Sequence, residues 1–331
     1  MSCEADGHGG AGAHGATVRT PLRSLLFVPG TRTEWLAKAE ASGADAAILD
    51  LEDAVAGRDK RAARERVAEA VAQRARPDAN GGGAGGMELF VRISPLDAWS
   101  AAEELRAVAR PGLAGLVLPK VRSEGDVRIA DRLLTWCEHE HGLRVGAVTL
   151  VPLLETAVAL RDAHDIAAAS SRVAYAGALT APGGDVERAV GYRWSPEGTE
   201  THALRSRVLL DVRAAGAEHP VGGLWTDIAD LAGLRRFAEQ NRALGYTGMV
   251  AIHPSHVPVI NEVFSPDAAE LARAERLIAA VRDGQARGAG AVTFEGRMVD
   301  EAMAATAEQI LMRHRRREPG PNNGDGTTSQ R

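Results

Sequence analysis

Cysteine is scarce in this chain of 331 residues: Cys3 and Cys137 stand far apart, without the spacing of a metal site. That excludes a disulfide scaffold and points to a reducing compartment, so the cytoplasm is the expected location. Long apolar runs are missing as well, none reaching the roughly 18 residues that a membrane-spanning helix requires. Residues 1–20 are rich in Gly, Ala and His and lack the apolar centre of a secretion signal. Neither sign of charge is in large excess: 39 basic residues against 44 acidic ones give a net charge of −5. With no basic stripe, nothing favours nucleic acid or an anionic membrane, and a small molecule is the expected ligand. Finally, no strand-like run leads into Gly-x-Gly-x-x-Gly, so the dinucleotide fingerprint of an open doubly wound sheet is absent.

What is present is an alternation. From Arg23 onward a short apolar run is followed by an Ala/Leu/Arg/Glu-rich stretch with helical spacing, and eight runs occur, at 24–28, 46–50, 88–93, 115–119, 147–151, 173–176, 221–225 and 249–252. Between them, helices are predicted over 35–42, 60–74, 98–109, 124–139, 156–168, 201–214 and 230–244. Strands alternating with helices require a parallel sheet, and eight of them imply closure into an α/β (β/α)8 TIM barrel. The expected organisation is a disordered tail over 1–20, a barrel over 21–260, a C-terminal helical arm over 261–317 and a second disordered tail over 318–331. Two insertions interrupt the pattern: a flexible glycine-rich connector at 77–87 and a long loop at 177–200 after the sixth strand.

Polar residues at the carboxyl ends of barrel strands are where such enzymes build their sites. The strands deliver Thr31, Asp50-Leu-Glu-Asp53, Arg92, Lys120, Glu155, Asp185, Asp227 and His253 in turn. Glu155 and Asp185 each follow an apolar run, and in parallel neighbouring strands they would emerge at one edge. Two such oxygen ligands suit a hard cation, Mg²⁺ or Mn²⁺; their other reading is as acids in the first turn of a helix. Arg92, inside Phe90-Val-Arg-Ile93, needs a partner to offset desolvation, either a bound carboxylate or an internal salt bridge to Glu52 or Glu155. Lys60 and Arg64 open a helix, where they could meet phosphates or be solvated surface. His253 is expected to be structural and buried beside Pro254, and Cys137 to be packing.

Six segments in order resemble the citrate lyase β-subunit-like family, the acyl-CoA lyase branch of the HpcH/HpaI aldolase superfamily. They are Arg23-Ser-Leu-Leu-Phe-Val-Pro-Gly-Thr31, Asp45-Ala-Ala-Ile-Leu-Asp-Leu-Glu-Asp-Ala-Val55, Phe90-Val-Arg-Ile93, Pro152-Leu-Leu-Glu-Thr156, Ile252-His-Pro-Ser255 and Phe294-Glu-Gly-Arg-Met-Val-Asp300. The resemblance runs from about Arg23 to Leu311. It implies a divalent metal on Glu155 and Asp185 and Arg92 on the substrate's acid group; beside it, Asp50, Glu52 and Asp53 read as residues supporting Arg92, and Asp50, Glu52 and Lys60 join Arg92 and Glu155 as expected substrate-binding residues. It also implies retro-Claisen cleavage of a β-hydroxyacyl-CoA, such as malyl-CoA or citramalyl-CoA, to an acyl-CoA and a 2-oxo acid. The assembly implied is a homotrimer or hexamer, whose C-terminal arm covers a neighbouring subunit's site and supplies Asp300 as acid/base. Chelation of the 2-oxo acid would offset charge developing as the carbon–carbon bond breaks.

Two departures from the family pattern stand out. Ser94 replaces a frequent Asn, and Gly177-Ala-Leu-Thr180 lacks the usual acid, so the second ligand is placed at Asp185, whose continuation to Gly191 resembles the family's. A pyruvate-releasing metal-dependent aldolase, a CoA-ester thioesterase or synthase variant, and a non-catalytic CoA-binding subunit are the alternatives.

Overall fold

The structure is a computed structural model that describes residue 19, residues 21–75 and residues 86–315. The predicted tails therefore lie almost wholly outside the described residues, as does most of the 77–87 connector. The barrel runs β1 (Ser24–Pro29), α1 (Leu36–Ala41), β2 (Ala46–Asp50), α2 (Lys60–Arg74), β3 (Glu88–Arg92), α3 (Trp99–Val108), β4 (Gly115–Leu118) and α4 (Glu124–Glu140). It continues through β5 (Thr149–Leu154), α5 (Ala157–Arg161), α6 (Ala163–Ala168), β6 (Gly177–Ala178), α7 (Asp185–Val190), α8 (His202–Ala214), β7 (Val221–Gly222), α9 (Leu231–Leu244), β8 (Gly248–Ala251) and α10 (His256–Val263). All strand pairs in this sheet are parallel, in the order β6-β5-β4-β3-β2-β1-β8-β7. The remaining seam is joined by two backbone hydrogen bonds, from His219 N–H to the Ala174 carbonyl (2.9 Å) and from Val221 N–H to the Ala176 carbonyl (3.2 Å). The predicted TIM barrel is thus observed, and no helix among the described residues is long and apolar enough to cross a membrane.

Side-chain alternation explains why these runs are strands. In β2 and β3, Ala46, Ile48 and Phe90 face the barrel axis with Leu25, Val117, Val151 and Tyr175, while Ala47, Leu49, Leu89 and Val91 face the helices. Period two then carries Asp50 and Arg92 to the inner face at the carboxyl rim, one layer above Ile48 and Phe90. Phe90 fits because Gly115 lies beside it: a Cβ there would stand 2.2 Å from the ring. The sixth strand differs from expectation. Residue 173 makes only an isolated bridge to Leu150, and the ladder lies at Gly177–Ala178, shifted toward the rim. Gly177 permits that approach, since a Cβ would meet the Val221 carbonyl at 2.1 Å. The helix predicted over 156–168 is two helices, broken at Asp162, whose backbone leaves helical geometry (φ −103°, ψ 25°).

The arm builds its own small core. α11 (Ala268–Ala286), capped by a reciprocal Asp267/Glu270 box, packs on α12 (Glu301–Arg315) and on an antiparallel hairpin of β9 (Ala291–Phe294) and β10 (Arg297–Asp300). Leu277, Ile278, Val281, Val299 and Ala304 make its centre, separate from the barrel's two clusters. Met298 remains 76% exposed.

One buried ion cluster ties the sixth strand's approach to the helical layer. Arg172, 3% exposed, bonds Glu138 of α4 through Nη1 (2.7 Å) and Nη2 (2.6 Å) and donates to the Val148 carbonyl (3.1 Å). Glu138, fully buried, also accepts from the Gly146 and Val148 amides at 2.9 and 3.0 Å. Burial pushes the Glu138 carboxyl up, but Arg172 and the two amides outweigh it and hold the group below its ordinary range. A depressed carboxyl stabilises the fold above the ordinary carboxylate range, and that contribution fades as pH falls below it. Arg172→Leu should therefore cost about 3–5 kcal/mol at pH 7, because it strands a buried carboxylate. In urea melts at neutral pH and near pH 4 the gap to wild type should narrow on acidification; a gap independent of pH would contradict this account.

Candidate active site

The rim at the carboxyl ends of β1 to β6 assembles from the alternation already described. Arg92 and Asp50 are register partners across β2 and β3, so their side chains emerge side by side. Asp50 accepts from Arg92 Nε (2.7 Å) and Nη2 (2.6 Å), a two-pronged fork that only arginine can make. Asp50 also accepts from the backbone amides of Glu52 (2.8 Å) and Ala54 (3.1 Å), which rolls the β2–α2 loop over the rim. The guanidinium lies on the Phe27 ring, 4.6 Å from its centroid, and its Nη1 contacts Glu52 Oε2 at 2.9 Å. The internal partners of Arg92 are thus Asp50 and Glu52.

Lys120 follows β4. Its ammonium reaches Glu52 Oε1 (2.7 Å) and Asp53 (3.1 Å), and its backbone N–H donates to Glu155 Oε1 (2.7 Å). Asp53 and Lys120 thereby extend the ion chain from Arg92 to the mouth of a cavity of about 240 Å³. Glu155, Asp185, Lys120, Arg122, Asp97 and Arg188 are among its lining residues. Glu155 is buried, and burial raises its carboxyl to about 7; Glu52 and Asp185 add to the rise while the Lys120 amide and Arg92 oppose it. Asp185 begins α7 and pairs with Arg188. The two acids picked out in the sequence therefore line one cavity and feel each other's charge.

Their donor set suits a hard cation. No third His, Cys, Asp or Glu joins them in a metal cluster among the described residues, and sulfur and imidazole are absent from the cavity wall. Mg²⁺ is commonly held by one or two carboxylates, with water or substrate oxygens completing its shell, so Glu155 and Asp185 fit such an ion.

The other predicted residues lie elsewhere. Lys60 donates to the carbonyls of Leu51 and Glu52 (2.9 Å for the latter) and to Ser94 Oγ (3.1 Å), and so braces the loop that carries Glu52. Asp300 accepts from the Met303 amide (3.2 Å) at the start of α12 and is not among the residues lining the cavity of its own chain. His253, expected to be buried, is half-buried, its Nδ1 within 2.7 Å of Ser255 Oγ, because the rim past β8 is open there. Several contributors had no role in the sequence reading. Glu104 is buried and accepts from the Ser94 amide (2.6 Å) and hydroxyl (3.1 Å), fixing the residue that departs from the family pattern. Arg32 and Arg66 line a second cavity of about 340 Å³ beside Thr31. Strand-end position could have flagged Arg32; Arg66 and Glu104 sit mid-helix and give no such signal.

Comparison with known proteins agrees with this architecture. The family described as HpcH/HpaI aldolase/citrate lyase matches residues 23–254. A citrate lyase subunit beta-like protein from Deinococcus radiodurans is 35% identical over 291 residues, covering 88% of this chain and 96% of the relative. An L-malyl-CoA/beta-methylmalyl-CoA lyase from Cereibacter sphaeroides is 34% identical, covering 88% and 94%. Among solved structures, protein CitE from Mycobacterium tuberculosis in complex with magnesium, acetoacetate and coenzyme A superposes with a TM-score of 0.66 at 30% identity, covering 90% of this chain and 99% of that one. The chain is therefore a member of the HpcH/HpaI aldolase/citrate lyase family and an enzyme of the lyase class.

Proposed function

We propose that this chain is a Mg²⁺-dependent CoA-ester lyase that cleaves a β-hydroxyacyl-CoA, of the malyl-CoA or citramalyl-CoA type, into an acyl-CoA and a 2-oxo acid. The observation that carries the reading is that Glu155 and Asp185 line one cavity, with the Arg92 charge close enough to act on Glu155. The magnesium, keto acid and coenzyme A bound by the Mycobacterium tuberculosis relative support it. Glu155 and Asp185 would hold the cation, which when bound supplies a Lewis acid for the oxygens of a 2-oxo acid. Arg92 contacts the substrate's acid group, orients the acyl carbonyl and shares the negative charge that develops on it. In the cleavage direction the β-hydroxyl passes its proton to water, its oxygen becomes the keto group of the 2-oxo acid, and the carbon–carbon bond breaks. Its electron pair passes to the thioester enolate, and the α-carbon takes a proton from the Asp300 carboxyl of a neighbouring copy. In condensation the Asp300 carboxylate removes that proton, a role contributing about 10²–10⁴ in rate.

The assembly proposed is a homotrimer or hexamer. An arm with a core of its own and an exposed Met298 supports reach onto a second subunit. Arg32 and Arg66, in the cavity beside Thr31, offer charges for the phosphates of CoA.

With malyl-CoA or citramalyl-CoA and Mg²⁺, the wild type should release a 2-oxo acid, trapped as its phenylhydrazone, with no free CoA thiol. Thiol release instead would mark a thioesterase, and turnover of CoA-free hydroxy-keto acids an aldolase. Asp185→Ala should weaken Mg²⁺ binding in isothermal titration by about 100-fold, on the scale of metal-site losses; unchanged affinity would remove Asp185 from the ligand set. Arg92→Lys, which keeps the charge but loses the fork, should lower kcat by about 10²–10³. Asp300→Ala and Arg92→Lys should each be nearly inactive alone, yet mixing them under exchange conditions should restore part of the activity. No recovery in hetero-oligomers would place Asp300 outside the neighbour's site.

A further inference from the structure

Lys120 touches both halves of the site, one through its ammonium and the other through its backbone amide. Its backbone is left-handed (φ 48°), a conformation it shares only with Glu295 among the described non-glycine residues. A lysine holds such a conformation only where its surroundings impose it. Here the amide donates to Glu155 Oε1 while the ammonium crosses to Glu52 Oε1, each at 2.7 Å. The other Glu52 oxygen contacts Arg92 Nη1 at 2.9 Å, and the Glu52 side chain is 4% exposed.

The donor count at Arg92 gives this arrangement its meaning. A guanidinium carries five N–H groups. Asp50 takes one on Nε and one on Nη2, while Glu52 meets Nη1 as an ion pair at 2.9 Å without hydrogen-bond geometry. That leaves three, two on Nη1 and one on Nη2. Glu52 has a second oxygen that could close on those N–H groups, and Lys120 is what occupies it. A buried carboxylate oxygen deprived of its cation turns to the nearest remaining donor, since leaving it unmatched is costly.

We propose that Lys120 is a positioning residue: by holding one oxygen of Glu52 it keeps that carboxylate from closing a second contact on Arg92, which leaves guanidinium N–H groups on both terminal nitrogens free for an anionic oxygen of the substrate. Through its amide it fixes the facing carboxylate, Glu155, at the same time. This deepens, and for its catalytic consequence rests on, the lyase reading above. Asp53, the second partner of the ammonium, limits how far Lys120 can turn toward solvent.

The test uses Lys120→Gly, which accepts φ 48° without strain and keeps the amide, and Lys120→Arg, which keeps a cation. A crystal structure of the glycine variant should show both Glu52 oxygens on Arg92, with Glu155 still on the amide of residue 120. Isothermal titration should show Mg²⁺ affinity within about 3-fold of wild type, while pyruvate binding in saturating Mg²⁺ weakens about 10-fold or more, the scale of one or two charge-assisted hydrogen bonds. KM for the CoA ester should stay within about 3-fold and kcat should fall about 10–100-fold, with Lys120→Arg recovering most of the loss. Glu52 keeping a single contact on Arg92 in the glycine variant overturns the proposal, as does a folded glycine variant with wild-type pyruvate affinity. If the wild type itself binds no 2-oxo acid and cleaves no thioester, the lyase reading fails, and the position of Glu52 in the crystal alone decides the role of Lys120.

Discussion

The pairing of Arg92 with Asp50 is the interaction on which the rest of the rim depends. A guanidinium on the inner face of a barrel strand is tolerable only if its desolvation is offset, and Asp50 does so with a fork at 2.6 and 2.7 Å. The same carboxylate accepts two loop amides, so the turn that carries Glu52 and Asp53 is set by the residue that neutralises Arg92. Glu52 then needs a second cation and finds it in Lys120, whose amide reaches Glu155. One chain of charge compensation thus runs from β2 through β3 and β4 to β5, across the stretch of rim where a substrate would lie.

The barrel beneath makes that chain rigid. Asp50 and Arg92 stand in adjacent registered strands above Ile48 and Phe90, so neither can shift without disturbing a packed interior layer. Lys60 and Glu104 brace the loops from outside, the first through the Leu51 and Glu52 carbonyls and the second through Ser94. By contrast, the acids on the β6 side of the cavity sit on softer ground. Asp185 begins a six-residue helix in a long loop, and its partner is Arg188.

Much of this was legible in the sequence because alternation is a local property. Apolar runs with helical stretches between them identify strands and crossovers, and the residue at each strand's end must lie at the rim; Glu155, Arg92, Asp50 and Lys120 were all found that way. Asp185 was placed by the likeness of its continuation to Gly191, and it does line the cavity with Glu155. Less was visible wherever a side chain's partner lies far along the chain. Nothing near Lys60 announces that its ammonium turns inward to two carbonyls, and nothing near Glu104 announces Ser94. The sixth strand lies a few residues beyond its apolar run because its hydrogen bonding is set by close approach at Gly177, which composition alone does not reveal.

By itself the sequence determined the class of fold, the family and the inventory of rim residues, since periodicity and motif order are written in consecutive positions. Only the tertiary structure decided how that inventory is wired: that Arg92 answers to Asp50 and Glu52, that Lys120 joins Glu52 to Glu155, and that Asp300 caps a helix in a separately packed arm. The reason is physical. Burial and charge compensation depend on which groups meet across strands, and those meetings follow from closing the barrel.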